Sequence, residues 1–417
     1  MLEELHSIDA LLVEREIKKA EVIIARALRA NPLSAIKAQI LIRRARVRLM
    51  SARPEEAIDD LLTARSLAPE EFESPSLLEL LGDCYFARFE LSSVGFAERN
   101  DTLQAQRAYR QILDGVPTYA NLGWIHYQLG RILLTNNEAA DADAYFRKAL
   151  FSPSHVRGLT AYCYERLGFV AFYEHRDSHS AITFLNKAVD TYPSSENRAW
   201  LVQAHILRSR VYREARNYGM ALTAAEAALA VAADHAVDSK SGLAEALLTA
   251  GELLAEIDGR ERDVVAYLQQ FLQISKKPLG VDVTWSRVHE MLGDAYSRLG
   301  QADAAAAAFH AALQFNPYHP WEVSLHYRIA RSYYQQQQYE KAIEAIHRML
   351  AAAQSEGQTV GDYRVYDVLG NAQFALGRYA EAIDAYQIAL EIAPTNAENL
   401  DKIKMYHQFA QELKRPL

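Results

Sequence analysis

Cysteine is almost missing. Cys84 and Cys163 are the only two in 417 residues, too few for a disulfide framework. Each falls among apolar residues, which predicts buried free thiols, a reducing compartment and a cytoplasmic location. Long apolar runs are missing too: none approaches the roughly 20 residues of a membrane span. The opening MLEELHSIDALLVEREIKKAE carries early acids and reads as amphipathic helix, not as a signal peptide. There is no glycine-rich phosphate loop, nucleophile elbow or zinc-helix pattern. His-Arg-Asp occurs at 175–177, but the Leu-x-x-x-Asn and Asp-Phe-Gly of a kinase do not accompany it. No enzyme activity and no cofactor are therefore expected.

Positive charge is in deficit, with 45 Lys/Arg against 53 Asp/Glu and a net charge of −8. An acidic body argues against general nucleic-acid binding. The deficit is uneven. Residues 1–53 hold 11 Lys/Arg and 6 Asp/Glu, a net of +5, which leaves 34 against 47, a net of −13, for the rest. Arg43, Arg44, Arg46, Arg48 and Arg53 form a basic run. Their spacing spreads them around a helix, which predicts a solvated surface, with a patch for an acidic ligand as the alternative.

Half the residues are apolar, and they recur in a fixed pattern. The segment Tyr363–Pro394, YRVYDVLGNAQFALGRYAEAIDAYQIALEIAP, is its clearest instance. Leu369, Phe374 and Leu376 on a first helix can meet Ala382, Ile383, Tyr386 and Leu390 on a second, where apolar residues recur three and four apart. Gly370 and Ala382 are small where two helices must approach. Gly377 supplies the turn and Pro394 ends the second helix. The same spacing returns at His289, Leu292, Gly293, Tyr296, Ala305, Phe309, Ala312 and Pro317. A further regular copy starts near residue 323, and weaker ones near 1, 38, 75, 123, 161, 202 and 244.

This pattern resembles the tetratricopeptide repeat, W-x2-L-G-x2-Y…A-x3-F…P with a period of 34, with His289 in place of the Trp. The fold expected is all-α: a right-handed α-solenoid, or superhelix, of about ten helix–turn–helix repeats plus a C-terminal capping helix. The third repeat carries an insertion of about 11 residues within 86–103 relative to the regular unit. The seventh is eroded, and the loop SKKPLGVDVT (275–284) after it is a candidate hinge. Three blocks follow: 1–277, with about seven repeats; 278–396, with three regular ones; and 397–417, a capping helix and tail. The cap is expected over about 397–413, with Thr395 and Glu398 at capping-box spacing and Leu400, Ile403, His407, Ala410 and Leu413 on its buried face.

The resemblance implies that first helices line a concave face that takes an extended or helical peptide. Periodicity places Tyr127, Gln128, Arg131, Arg166, Arg210 and Arg213 there in the middle repeats. In the last three it places Arg287, Glu290, Asp294, Tyr327, Arg328, Arg331, Tyr334, Arg364, Asp367 and Asn371. Arginine forks pair with carboxylates and tyrosines give rigid contact area. Asn371 is not joined by the lysines that a C-terminal carboxylate clamp needs, so no such tail is expected. In the insertion, Phe86, Phe89, Leu91, Val94 and Phe96 read either as packing within a longer first helix or as an apolar hook or lid. His126, His205, His289 and His326 recur one per repeat, too far apart to share a metal. They read as packing residues, and no metal is expected.

The function expected is a non-enzymatic interaction scaffold or adaptor that binds peptide or protein partners. Alternatives are a ligand- or peptide-responsive regulatory sensor and, opposed by the net acidity, a helical-repeat RNA-binding protein. Self-association is left open, because the ends of a solenoid can stack.

Overall fold

In the computed structural model, residues 2–30, 32–92, 98–192, 197–234, 240–355 and 357–414 are described. They contain twenty-one α-helices, a short 3-10 helix at Pro69–Glu73 and no strand. Two compact units divide the chain, Met1–Glu196 and Asn197–Leu417. The first holds five hairpins: α1 (Leu2–Val13) with α2 (Ile17–Arg29), α3 (Ser34–Met50) with α4 (Pro54–Leu67), α5 (Pro75–Leu91) with α6 (Glu98–Gly115), α7 (Leu122–Thr135) with α8 (Ala139–Phe151), and α9 (Leu159–Tyr173) with α10 (Ser178–Thr191). The second holds five more and the cap: α11 (Arg198–Glu214) with α12 (Tyr218–Ala233), α13 (Lys240–Ala255) with α14 (Glu261–Ile274), α15 (Val283–Arg298) with α16 (Ala302–Phe315), α17 (Glu322–Gln335) with α18 (Tyr339–Ser355), α19 (Tyr363–Ala375) with α20 (Tyr379–Ile392), and α21 (Leu400–Lys414). The expected ten repeats and cap are present as an all-α solenoid.

Six of the ten hairpins close on a match of glycine to a large side chain. A Cβ placed on Gly293 would lie 2.4 Å from the Phe309 ring, and one on Gly370 would lie 2.6 Å from the Tyr386 ring. Gly82 faces Tyr109, Gly130 faces Phe146, Gly168 faces Leu185 and Gly251 faces Leu268 in the same way. The large side chain of the second helix fills the space that glycine leaves on the first. Where the first helix carries Ser209 instead, the corresponding second-helix residue is Ala225, and the buried Ser209 hydroxyl donates to the Ala221 carbonyl at 2.8 Å. Burying one such large side chain contributes about 2–3 kcal/mol. Cores run from hairpin to hairpin within a unit: Phe309 of α16, Ile329 of α17, Ile346 of α18 and Leu369 of α19 belong to one cluster.

The turns obey a backbone rule more than a residue rule. Between first and second helix, Arg15, Ala52, Asn137, Arg176, Arg216, Gly259, Gly300, Gln337 and Gly377 all have φ between 54° and 83°. Only three of them are glycine, although left-handed backbone costs other residues roughly 1–2 kcal/mol.

The cap differs from expectation at both ends. α21 begins at Leu400, and the Ala397 amide donates to the Pro394 carbonyl at 2.9 Å, so Thr395 and Glu398 belong to a turn and do not box the helix start. Ile403 and Ala410 are buried as expected, but Leu413 is exposed. Tyr406 takes part in the seal, with its ring 5.5 Å from Phe374. Residues 275–284 lie inside the second unit, where Phe271 and Trp285, on either side of them, share one core cluster.

Candidate functional site

The first helices of neighbouring hairpins meet side by side, so their side chains can answer one another across one repeat. In the first unit Arg43 of α3 donates to both carboxylate oxygens of Asp9 on α1, at 2.9 and 2.6 Å. Arg44 and Arg48 both reach the buried Asp60, at 2.5 and 2.6 Å, and Arg53 pairs with Glu21. The basic run is therefore not a solvated surface: four of its five arginines are spent on intramolecular ion pairs. Arg46 differs. It lines a groove of about 760 Å³ among α1, α3 and the start of α5, with Leu12, Val13, Ile42, Leu49 and Leu80.

The middle hairpins bury part of what periodicity placed on the inner face. Tyr127 and Gln128 are buried. The Tyr127 ring packs on Trp124 and Phe146, and burial pushes its hydroxyl up to about 12. Gln128 donates to Asp83 of α5 at 3.1 Å, where Tyr109 and Trp124 also donate, at 2.6 and 3.1 Å. Burial raises the Asp83 carboxyl to about 6 in spite of these bonds, and Glu79 one turn earlier is raised for the same reason. Arg131 pairs with Glu90 and lies 4.7 Å over the Phe86 ring. Arg166 donates to the buried Glu165 at 2.7 Å.

A ladder of ion pairs joins first helices in the second unit. Arg210 reaches Glu245 at 3.1 Å, Arg213 reaches Glu252 at 3.5 Å, and Arg287 reaches Glu252 from the next hairpin at 3.4 Å. Arg328 reaches Asp294 at 2.9 Å and Glu290 at 3.3 Å. Burial raises the Asp294 carboxyl while the Arg328 charge opposes the shift. Arg364 pairs with Asp362 before its own helix, at 2.8 Å. Asn371 donates to Asp367 at 2.7 Å and accepts from the Tyr386 hydroxyl at 2.9 Å.

Arg331 is the exception among these candidates. It has no hydrogen bond or ion pair among the described residues, and it lines a pocket of about 430 Å³ with Arg328, Asp294, Arg298, Ser332 and Gln335. Tyr327 and Tyr334 lie one turn to either side of it on α17, half-buried, and burial raises both hydroxyls. The arrangement offers a cation on a helix face that also carries two tyrosines, suited to a carboxylate on an extended chain.

The insertion splits. Phe86 is buried and stacks with the half-buried Phe89 at 5.8 Å, within the longer helix α5. Leu91 is exposed at its end. Val94 and Phe96 lie outside the described residues. Both cysteines are buried free thiols, and burial pushes Cys163 up to about 12. His289 stacks on Phe315 at 5.5 Å, His126 packs at a tilt against Tyr145 at 5.9 Å, and burial lowers His126, His205, His289 and His326. Among the described residues no group of three or more His, Cys, Asp or Glu could hold a metal, and no helix is long and apolar enough to cross a membrane.

The groove around Arg46 was missed as a site, and the acid that holds each arginine of the ladder was not assigned. A usable signal existed: Arg43 and Asp9, like Arg328 and Asp294, stand 34 residues apart, one repeat period, with opposite charge.

Models of the tetratricopeptide repeat match residues 321–395, 125–150 and 286–319. No curated protein matches the chain. Among solved structures, a Signal Transduction ATPase with Numerous Domains protein with a tetratricopeptide repeat sensor, from Pyrococcus horikoshii, is 17% identical with a TM-score of 0.54, covering 89% of this chain and 55% of that one. The C-terminal part of a repeat-containing protein from Cytophaga hutchinsonii is 15% identical with a TM-score of 0.44, covering 70% and 100%. The P58(IPK) repeat domain is 17% identical with a TM-score of 0.33, covering 99% of each.

Proposed function

The chain is a tetratricopeptide repeat protein, and from that premise we propose that it is a non-enzymatic scaffold or adaptor that holds a partner's peptide segment against α15, α17 and α19. One observation carries the reading. Every other arginine placed on the first-helix face is held by an acid of this chain, whereas Arg331 makes no ion pair among the described residues, in a pocket whose Asp294 is taken by Arg328, and Tyr327 and Tyr334 lie one turn to either side of it along α17. An unpaired guanidinium on a face that carries tyrosines favours a segment that brings its own carboxylate, from Asp, Glu or a chain end. The buried free thiols support a reducing, cytoplasmic setting.

The test is crosslinking and mass spectrometry of the full chain in cells, comparing wild type with Arg331→Glu. The reading expects a defined set of protein partners crosslinked along α15–α19, with recovery falling about tenfold or more in the variant. An unchanged partner set with unchanged crosslinks would defeat it.

A further inference from the structure

Two neighbouring loops of the second unit place apolar side chains in water. In the first, Leu279 is 103% exposed, Val281 62% and Val283 67%. In the second, Tyr318 is 88% and Trp321 63% exposed. The Asp282 amide donates to the Phe315 carbonyl at 2.9 Å, so the first loop crosses the end of α16 just before the second loop begins. The Lys277 ammonium lies 5.8 Å over the Phe315 ring. Both loops therefore edge the same hairpin, away from the Arg331 pocket's lining. Together the five side chains expose several hundred Å², of the order of the ~800 Å² per partner that a standard interface buries, and monomers rarely leave so much apolar surface uncovered.

We propose that this edge pairs with the same edge of a second copy. The charges choose the occupant. Lys276 and Lys277 stand on the first loop, and Glu322, the first residue of α17, follows Trp321 of the second. Asp282 is already engaged in accepting from the Trp285 amide, at 2.8 Å. A two-fold axis between the loops sets the lysines of one copy against Glu322 of the other and Leu279 against Tyr318 and Trp321. The patch complements itself, which is the condition for a closed dimer. Glu322 lies 3.7 Å from His326 on its own helix, and a lysine of the partner copy is the stronger cation at neutral pH.

Analytical ultracentrifugation of the full chain tests this. The mass is expected to rise from monomer to dimer through the micromolar range. Leu279→Asp and Trp321→Ala each raise the dissociation constant by about tenfold or more, with helical circular dichroism unchanged. Lys277→Glu and Glu322→Lys each weaken the dimer, and the two together restore it, because the swap rebuilds the pair across the axis. Arg331→Glu leaves the dimer intact, which separates this surface from the partner pocket. A monomer at every concentration overturns the proposal, as does a dimer that survives both apolar variants. So does loss of binding to phosphatidylcholine–phosphatidylserine vesicles in those variants without a change in mass, which would give the edge to a membrane surface.

Discussion

Arg328 on α17 sets one guanidinium nitrogen 2.9 Å from both oxygens of Asp294 on α15, one full repeat away. The pair borders the pocket that holds the unpaired Arg331, so structure and recognition adjoin here. The pair is partly open to water, with about a third of the Arg328 side chain exposed, so its coupling is small. Arg328→Ala and Asp294→Ala are expected to give a double-mutant coupling of about 0.5–1 kcal/mol that shrinks with salt. A coupling above about 2 kcal/mol would show that the ladder, not the apolar core, holds these hairpins in register.

Gly293→Ala forces a methyl against the Phe309 ring, 2.4 Å away. A loss of about 2–3 kcal/mol is expected in urea denaturation, read by circular dichroism. Phe309→Leu in the same chain returns part of it, since the smaller side chain makes room. A harmless Gly293→Ala would mean the hairpins can spread at that level.

Gln337 holds φ at 60° in the α17–α18 turn, where its counterpart Gly377 sits at 74°. Gln337→Gly removes the clash of a side chain in left-handed backbone and loses some stability to a freer unfolded chain. A net gain of about 0.5–1 kcal/mol in unfolding free energy is expected from urea denaturation. A loss would show that the Gln337 side chain contributes packing of its own.

Burial raises Asp83 from 3.8 to about 6. Between those values the folded chain binds a proton that the unfolded chain releases, so stability increases as pH falls from about 6 to about 4 and is lowest, on this account, above 6. The ceiling is roughly 3 kcal/mol at 1.36 kcal/mol per pH unit. Glu79, raised in the same direction, adds to the trend. Asp83→Asn should flatten the pH dependence of the denaturation midpoint in that window. The same slope in variant and wild type would locate the titration elsewhere.

Sequence legibility varied by residue. Gly370 was read as small because two helices approach there, with Ala382 as the other small residue, but the space it leaves is filled by the Tyr386 ring, 16 positions on. The cap was read three residues too early, because Thr395 and Glu398 have capping-box spacing while the chain at Pro394–Ala397 makes a turn first. Tyr127 and Gln128 were placed on the inner face, but Tyr127 packs against Trp124, Phe146 and Tyr162 and Gln128 is taken up by Asp83.

The sequence by itself determined the repeat, its number and where the two helices of a hairpin approach closely, because these depend on residues close along the chain and on volume. Only the tertiary structure decided which charges are available. Arginine and acid meet across hairpins, 32 residues apart for Arg53 and Glu21 and 41 for Arg131 and Glu90. Periodicity says that such residues share a face. Whether a guanidinium is already paired depends on the distance between two helices, and that distance separates Arg328, held by Asp294, from Arg331 three residues later.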